Sequence, residues 1–160
     1  MRHMKKLVAV LLTAVMVLTM LTACGGSGGG SSSGMSGVFN FTAAELTQKL
    51  NTDMKSNARY DSNLGPRFAT AMNAAMSATA GLTKEEAERV AESIMTSAGF
   101  ADSDCATTVI EKNSTVEEAA SGLEDSIEKN NLSLNNKTIG YAGAQLKGNG
   151  NYYMLFIIIQ

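Results

Sequence analysis

The chain has 160 residues, 13 Lys and Arg against 15 Asp and Glu, and a single histidine, which is room for one domain once targeting segments are set aside. Three of the bases fall within the first 24 residues, so the remainder holds ten bases against fifteen acids and is acidic by about five charges. No basic stripe or aromatic-interleaved basic patch is left, which excludes the electrostatic footprint of a nucleic-acid partner.

The first segment reads as an address. Arg2, Lys5 and Lys6 form a charged n-region, and Leu7 to Leu21 is apolar apart from Thr13 and Thr19. That stretch is short of the ~20 residues a membrane-spanning helix needs. It ends in Leu21-Thr22-Ala23-Cys24, which resembles the lipobox of bacterial lipoprotein signals, an aliphatic residue and two small ones before a lipidated cysteine. Residues 1–23 are thus expected to be a signal peptide and Cys24 the lipidation site; the alternatives are an ordinary cleaved signal or an uncleaved anchor. Acyl chains on Cys24 would anchor the chain to a cell membrane, on its extracytoplasmic face, without spanning it. Residues 24–37 then comprise the cysteine and a stretch almost wholly of Gly and Ser. Such a composition cannot bury a core, and its 13 residues after Cys24 hold the domain about 20 Å from the lipid on average.

The domain is expected over residues 38–160. Thr42-Ala43-Ala44-Glu45 is a capping box with Phe41 and Leu46 placed as a hydrophobic staple, and Ala43, Leu46, Leu50 and Met54 recur at helical spacing. Lys55 to Asn63 reads as a turn. Pro66 suits the first turn of a second helix with Phe68, Ala71, Met72, Ala75 and Met76 on one face, ended by Gly81. Thr83-Lys84-Glu85-Glu86 opens a third helix carrying Ala87, Val90, Ala91 and Ile94, which closes before Gly99.

The period then changes. Cys105 to Glu111 is β-branched and strand-like, and Thr115 to Lys129 is helical, with Val116, Ala119, Ala120, Leu123 and Ile127 on one face. Thr138 to Lys147 and Asn151 to Ile159 read as two strands joined by Gly148-Asn149-Gly150, a hairpin turn signal. Tyr152 to Ile159 has no polar face, which suits a central strand covered on both sides. Helices mostly first and an antiparallel sheet last is the order of an α+β domain.

Leu50-Asn51-Thr52-Asp53-Met54, Ala58-Arg59-Tyr60-Asp61-Ser62-Asn63-Leu64, Ala98-Gly99-Phe100, and Thr138-Ile139-Gly140-Tyr141-Ala142-Gly143 followed by Asn151-Tyr152-Tyr153 together resemble the CAP superfamily, the cysteine-rich secretory, antigen 5 and pathogenesis-related 1 proteins, in a divergent bacterial form. Met54 stands where the family's pattern has Arg, and Tyr60 where it has Trp. The resemblance implies a three-layer α-β-α sandwich with a small antiparallel sheet and a C-terminal hairpin. In it, small Gly140, Ala142, Gly143 and Ala144 let helices approach the sheet. It also implies a cleft, which in metal-binding members holds two histidines and acidic partners. Ser126-Ile127-Glu128-Lys129 occupies the place of a Ser-x-x-His segment, so Lys129 stands where that histidine would be.

The only histidine, His3, belongs to the expected signal. A mature chain without histidine has no Ser-His-Asp or Cys-His triad and no His-bearing zinc site. No catalytic, cofactor or metal residue is therefore expected. Carboxylate pairs remain as candidates for glycoside chemistry: Asp102 with Asp104, Glu117 with Glu118, and Glu124 with Asp125. Asp102-Ser103-Asp104 lacks the later bidentate glutamate of a calcium loop. With Cys24 acylated, Cys105 is the remaining thiol and no intramolecular disulfide is possible, so it is expected to be a small buried hydrophobe, the alternatives being a reactive thiol or an intermolecular bridge. The expected function is a non-catalytic, lipid-anchored binding domain for an apolar ligand or a surface protein. A carboxylate-only hydrolase and a purely structural envelope lipoprotein are the alternatives.

Overall fold

The computed structural model describes residues 39–76, 82–148 and 151–160. The expected signal, Cys24, the tether, Gly81, Asn149 and Gly150 lie outside the described residues, as do the side chains of Ala75 and Met76. The elements in order are α1 (Ala43–Asp53), β1 (Arg59–Tyr60), α2 (Leu64–Met76), α3 (Lys84–Ser97), β2 (Asp104–Glu111), α4 (Val116–Lys129), β3 (Thr138–Gln145) and β4 (Tyr152–Ile159).

Three helices start on closed capping boxes. In α1 the Glu45 N–H donates to Thr42 Oγ1 at 3.2 Å while the Thr42 N–H donates to Glu45 Oε2 at 2.7 Å. Thr83 with Glu86 and Thr115 with Glu118 repeat the arrangement at α3 and α4. Each box satisfies two N–H groups that a helix start leaves bare, and removal of such a cap typically costs about 1 kcal/mol. The cap bonds hold the Glu45 and Glu86 carboxyls below the ordinary carboxylate range. Helix α1 ends in a Schellman turn: the Ser56 N–H reaches the Asn51 carbonyl at 2.9 Å, which forces Lys55 to φ 50°. A side chain is strained there, so Lys55→Gly should raise stability by roughly 0.5–1 kcal/mol. Chemical denaturation checks it; a loss of stability would contradict it.

The sheet runs β1-β3-β4-β2. β4 pairs antiparallel with β3 and with β2, giving the expected hairpin and placing Tyr152–Ile159 centrally. The strand's alternation divides the core in two. Leu155, Ile157 and Ile159 face a layer made by α1 and α4, packing with Leu46, Leu50, Leu123 and Ile127. Met154, Phe156 and Ile158 face the other layer, with Phe68 and Met72 of α2 and Val90 and Ile94 of α3. The result is the expected three-layer α-β-α sandwich of the α+β class, and it explains why β4 is apolar on both faces.

One element departs from expectation. Within the segment read as a turn, Arg59–Tyr60 forms a short edge strand parallel to β3, so the sheet is mixed rather than purely antiparallel. The Arg59 N–H donates to the Lys137 carbonyl and the Asp61 N–H to the Ile139 carbonyl, both at 2.8 Å. Two residues are too few to leave an alternation in the sequence.

Small residues set the spacing of the layers. A Cβ on Gly65, at the start of α2, would lie 1.9 Å from the Tyr141 carbonyl oxygen, and one on Gly140 would lie 2.4 Å from Leu64 Cβ. The α2 backbone therefore rests directly on the β3 backbone. Gly122 plays the same part between α4 and β2, where a Cβ would meet Thr108 Oγ1 at 2.2 Å. Gly143 instead faces the Phe39 ring.

The outer edge of β2 is partly closed by side chains. Lys112 N–H pairs with the Asn151 carbonyl, so the even residues of β2 bond inward to β4 and the odd ones point out. Of these, the Thr107 N–H donates to Ser126 Oγ at 3.2 Å and the Glu111 N–H to Ser114 Oγ at 3.1 Å. Serine hydroxyls thus occupy two of the donors a stray strand would use.

Candidate functional site

A cleft of about 540 Å³ opens along α1, beside the segment that leads from α1 into β1. It is open to solvent along its length, a shallow groove and not an enclosed cavity. Ala44, Thr47, Gln48, Asn51 and Thr52 line it from one face of α1, where residues three and four apart align. Ser56 and Tyr60 form the opposite side. None of these residues is charged.

The walls are held by hydrogen bonds that run through the cleft residues themselves. Asn51 Oδ1 accepts from Ser56 Oγ at 2.8 Å and from the Ala58 N–H at 2.9 Å, while its Nδ2 donates to the Ala58 carbonyl at 2.9 Å. This one side chain folds the segment after α1 back against the helix. Behind the cleft, Thr47 Oγ1 donates to the Ala43 carbonyl at 2.8 Å. That uses its only proton, so the buried Tyr141 phenol donates to Thr47 across 2.9 Å. Burial pushes the Tyr141 hydroxyl well above its ordinary pKa, which keeps it a neutral donor. The Tyr60 ring stacks on Tyr141 with centroids 6.1 Å apart, giving the cleft an aromatic wall with a rigid backing.

The candidate carboxylates are not brought together as the sequence paired them. Asp102, Asp104, Glu117 and Asp125 are exposed, and Glu118 is occupied by its capping box. Glu124 faces Asp53 instead, across the contact of α4 with α1, and Lys49 forms an ion pair with Asp53. Desolvation first, then Asp53, push Glu124 up, while Lys49 foremost holds Asp53 down. Of the two, Glu124 is the more readily protonated, and its Oε1 is buried without a hydrogen-bond partner. Neither carboxyl lines the cleft along α1.

This pair makes stability depend on pH. A carboxyl whose pKa is raised by folding binds its proton more tightly in the folded state, so its contribution falls as pH rises through the raised value. Glu124→Gln replaces the carboxyl with a neutral amide and removes the charge that desolvation and Asp53 disfavour in the folded state. The variant should melt at a higher temperature than the parent at pH 7, with the difference closing as pH falls below the ordinary glutamate range, where Glu124 is protonated in both states. A lower melting temperature at pH 7 would contradict this.

Cys105 packs against the α2–α3 core, and burial pushes its thiol up to about 12. At neutral pH it is protonated, as befits a small hydrophobe and not a nucleophile. Lys129 ends α4 and is exposed; it does not line the cleft. The neighbouring Ser126 serves the β2 edge. Among the described residues no cluster of three or more His, Cys, Asp or Glu is placed to hold a metal ion, and no helix is long and apolar enough to cross a membrane.

The cleft went unseen in the sequence because its helical wall is the polar face of α1, which reads as a solvated surface. Asn51 and Tyr60 were singled out through the CAP resemblance, and they meet on this cleft. Comparison of the chain with family models, with curated proteins and with solved structures finds no match.

Proposed function

We propose that this chain is a lipid-anchored, extracytoplasmic binding domain of the cell envelope, non-catalytic, with a divergent CAP-type sandwich held to the membrane by acyl chains on Cys24. The observation that carries the binding part is the open groove on α1, lined by neutral hydrogen-bonding groups and a backed tyrosine. Its internal bonds, those of Asn51 and of Thr47 with Tyr141, hold the wall in place without a ligand. Such preorganisation spares a binding event the cost of ordering the site. The groups with the largest upward shifts, Cys105 and Tyr141, are kept protonated, which suits packing and hydrogen bonding better than nucleophilic attack.

The anchoring part rests on Leu21-Thr22-Ala23-Cys24 after a short apolar stretch, followed by Gly and Ser. A tether of about 20 Å keeps the domain within reach of the membrane surface and of whatever lies beside it. The CAP assignment draws support from the three-layer sandwich and from the meeting of Asn51 and Tyr60 at one cleft.

Native mass spectrometry of the full chain, extracted in mild detergent and exposed to a panel of envelope lipids, glycans and peptides, tests the binding reading. A retained ligand that is lost in Ala44→Trp, which fills the cleft from an exposed helix position, is the expected result. Ligands retained equally by that variant, or none from the panel, would overturn it.

A further inference from the structure

The lining of the α1 cleft also restricts the chemistry of what it takes. Thr52 Oγ1 donates to the Gln48 carbonyl at 2.9 Å, and Ser56 Oγ donates to Asn51 Oδ1 at 2.8 Å. Each hydroxyl has thereby spent its proton inside the protein and offers only lone pairs outward. A ligand that seats here must bring donors of its own. The Gln48 amide, on an exposed position of the same helix face, adds both a donor and an acceptor.

Two ligand classes fit poorly. The exposed lining is more apolar than polar, yet an alkyl chain laid along it would cover the Thr52 and Ser56 oxygens without replacing their water, and a buried acceptor left without a donor is penalised. An anionic headgroup finds no cation, since no lysine or arginine lines the cleft. The Lys49 ammonium on the same helix is already engaged by Asp53. What fits is a neutral molecule rich in hydroxyl or amide donors with a flat face for the Tyr60 ring, which Tyr141 holds from behind.

We infer that the α1 cleft binds a neutral saccharide, with the Tyr60 ring as its platform and Thr52, Ser56 and Gln48 as hydrogen-bond partners of its hydroxyl groups. This rests on the reading of the cleft as a binding site and narrows its ligand from apolar to polyhydroxylated. Ala44 supplies a small residue at the rim, where a larger side chain would deny a sugar ring entry.

The test is saturation-transfer NMR on the full lipidated chain in nanodiscs, with chitotriose and maltotriose as neutral saccharide probes and lysophosphatidylglycerol as the lipid probe. Tyr60→Ala removes the platform. Ala44→Trp blocks the cleft from a solvent-facing site and serves if Tyr60→Ala fails to fold, as judged by circular dichroism. The expected result is saturation of a trisaccharide by the parent chain and at least about tenfold weaker binding in both folded variants. Chitotriose alone would point to an acetamido sugar, and both trisaccharides to recognition of ring hydroxyls; each supports the inference. Trisaccharide binding unchanged in the variants would overturn it. Binding of lysophosphatidylglycerol alone, abolished by Ala44→Trp, would also overturn it while leaving the cleft a binding site. Failure of all three probes would remove both readings.

Discussion

Gly65→Ala should cost the domain at least about 3 kcal/mol and lower its melting temperature by roughly 10 °C or more. The methyl group would sit 1.9 Å from the Tyr141 carbonyl oxygen, a contact with backbone on both sides, so no rotamer can relieve it. Either α2 lifts off β3 or β3 bends away, and both open the packing of Leu64 and Phe68. In an exposed helix the same change would be favourable by up to about 1 kcal/mol, because alanine is the better helix former. The sign therefore separates close packing from propensity. Gly140→Ala strikes the same contact from the strand, where a Cβ would lie 2.4 Å from Leu64 Cβ. The double variant should lose clearly less than the sum of the two, since the first displacement makes room for the second. Equilibrium denaturation of the three variants decides it; full additivity, or a neutral Gly65→Ala, would mean that α2 does not rest on β3.

Phe68→Ala should be nearly as damaging, by about 3–5 kcal/mol. The ring is fully buried and lies between Phe100, edge-on at 5.6 Å, and Phe156 of the central strand at 5.4 Å. It touches both the start of the segment after α3 and the middle of the sheet, so its loss leaves a cavity that neither rigid neighbour can fill. Phe68→Leu should recover about half of the loss by restoring most of the volume. A cost below about 1 kcal/mol for Phe68→Ala would show that the second core is looser than this packing.

Most of the architecture was legible in the sequence because it rests on local rules. Thr42 to Glu45 and Thr83 to Glu86 announce helix starts, and both boxes are closed in the structure. Thr115 to Glu118 obeys the same rule at α4. The apolar run from Tyr152 to Ile159 signals a strand covered on both faces, and its alternation between the two cores from Met154 onward is the reason for it, while Tyr152 at its start is exposed. What escaped are features that depend on distant partners. β1 is a strand only because the Lys137 and Ile139 carbonyls accept its edge bonds. Glu124 was paired by proximity in sequence with Asp125, yet a helix points adjacent side chains apart and the tertiary contact of α1 with α4 delivers Asp53.

The site was the least legible part. Thr47, Gln48, Asn51 and Thr52 look like the wet side of an amphipathic helix, and Ser56 and Tyr60 like turn residues. Only the fold-back of the chain through the Asn51 side chain makes one cleft of them. The resemblance drew attention to Asn51 and Tyr60 through motif positions, not through any chemistry visible in the sequence. The expected histidine position led away from the cleft, because Lys129 ends α4 in solvent.

The central claim is that the domain works from a lipid anchor at the membrane surface, and the N-terminal peptide of the chain tests it most directly. Bacterial membranes expressing the full sequence would be extracted and the mature N-terminus identified by mass spectrometry. The account predicts a chain that begins at Cys24, carries a diacylglyceryl group on its sulfur, and disappears as a lipidated species in Cys24→Ala. A mature chain that begins elsewhere, or an unmodified Cys24 in a soluble fraction, would contradict it.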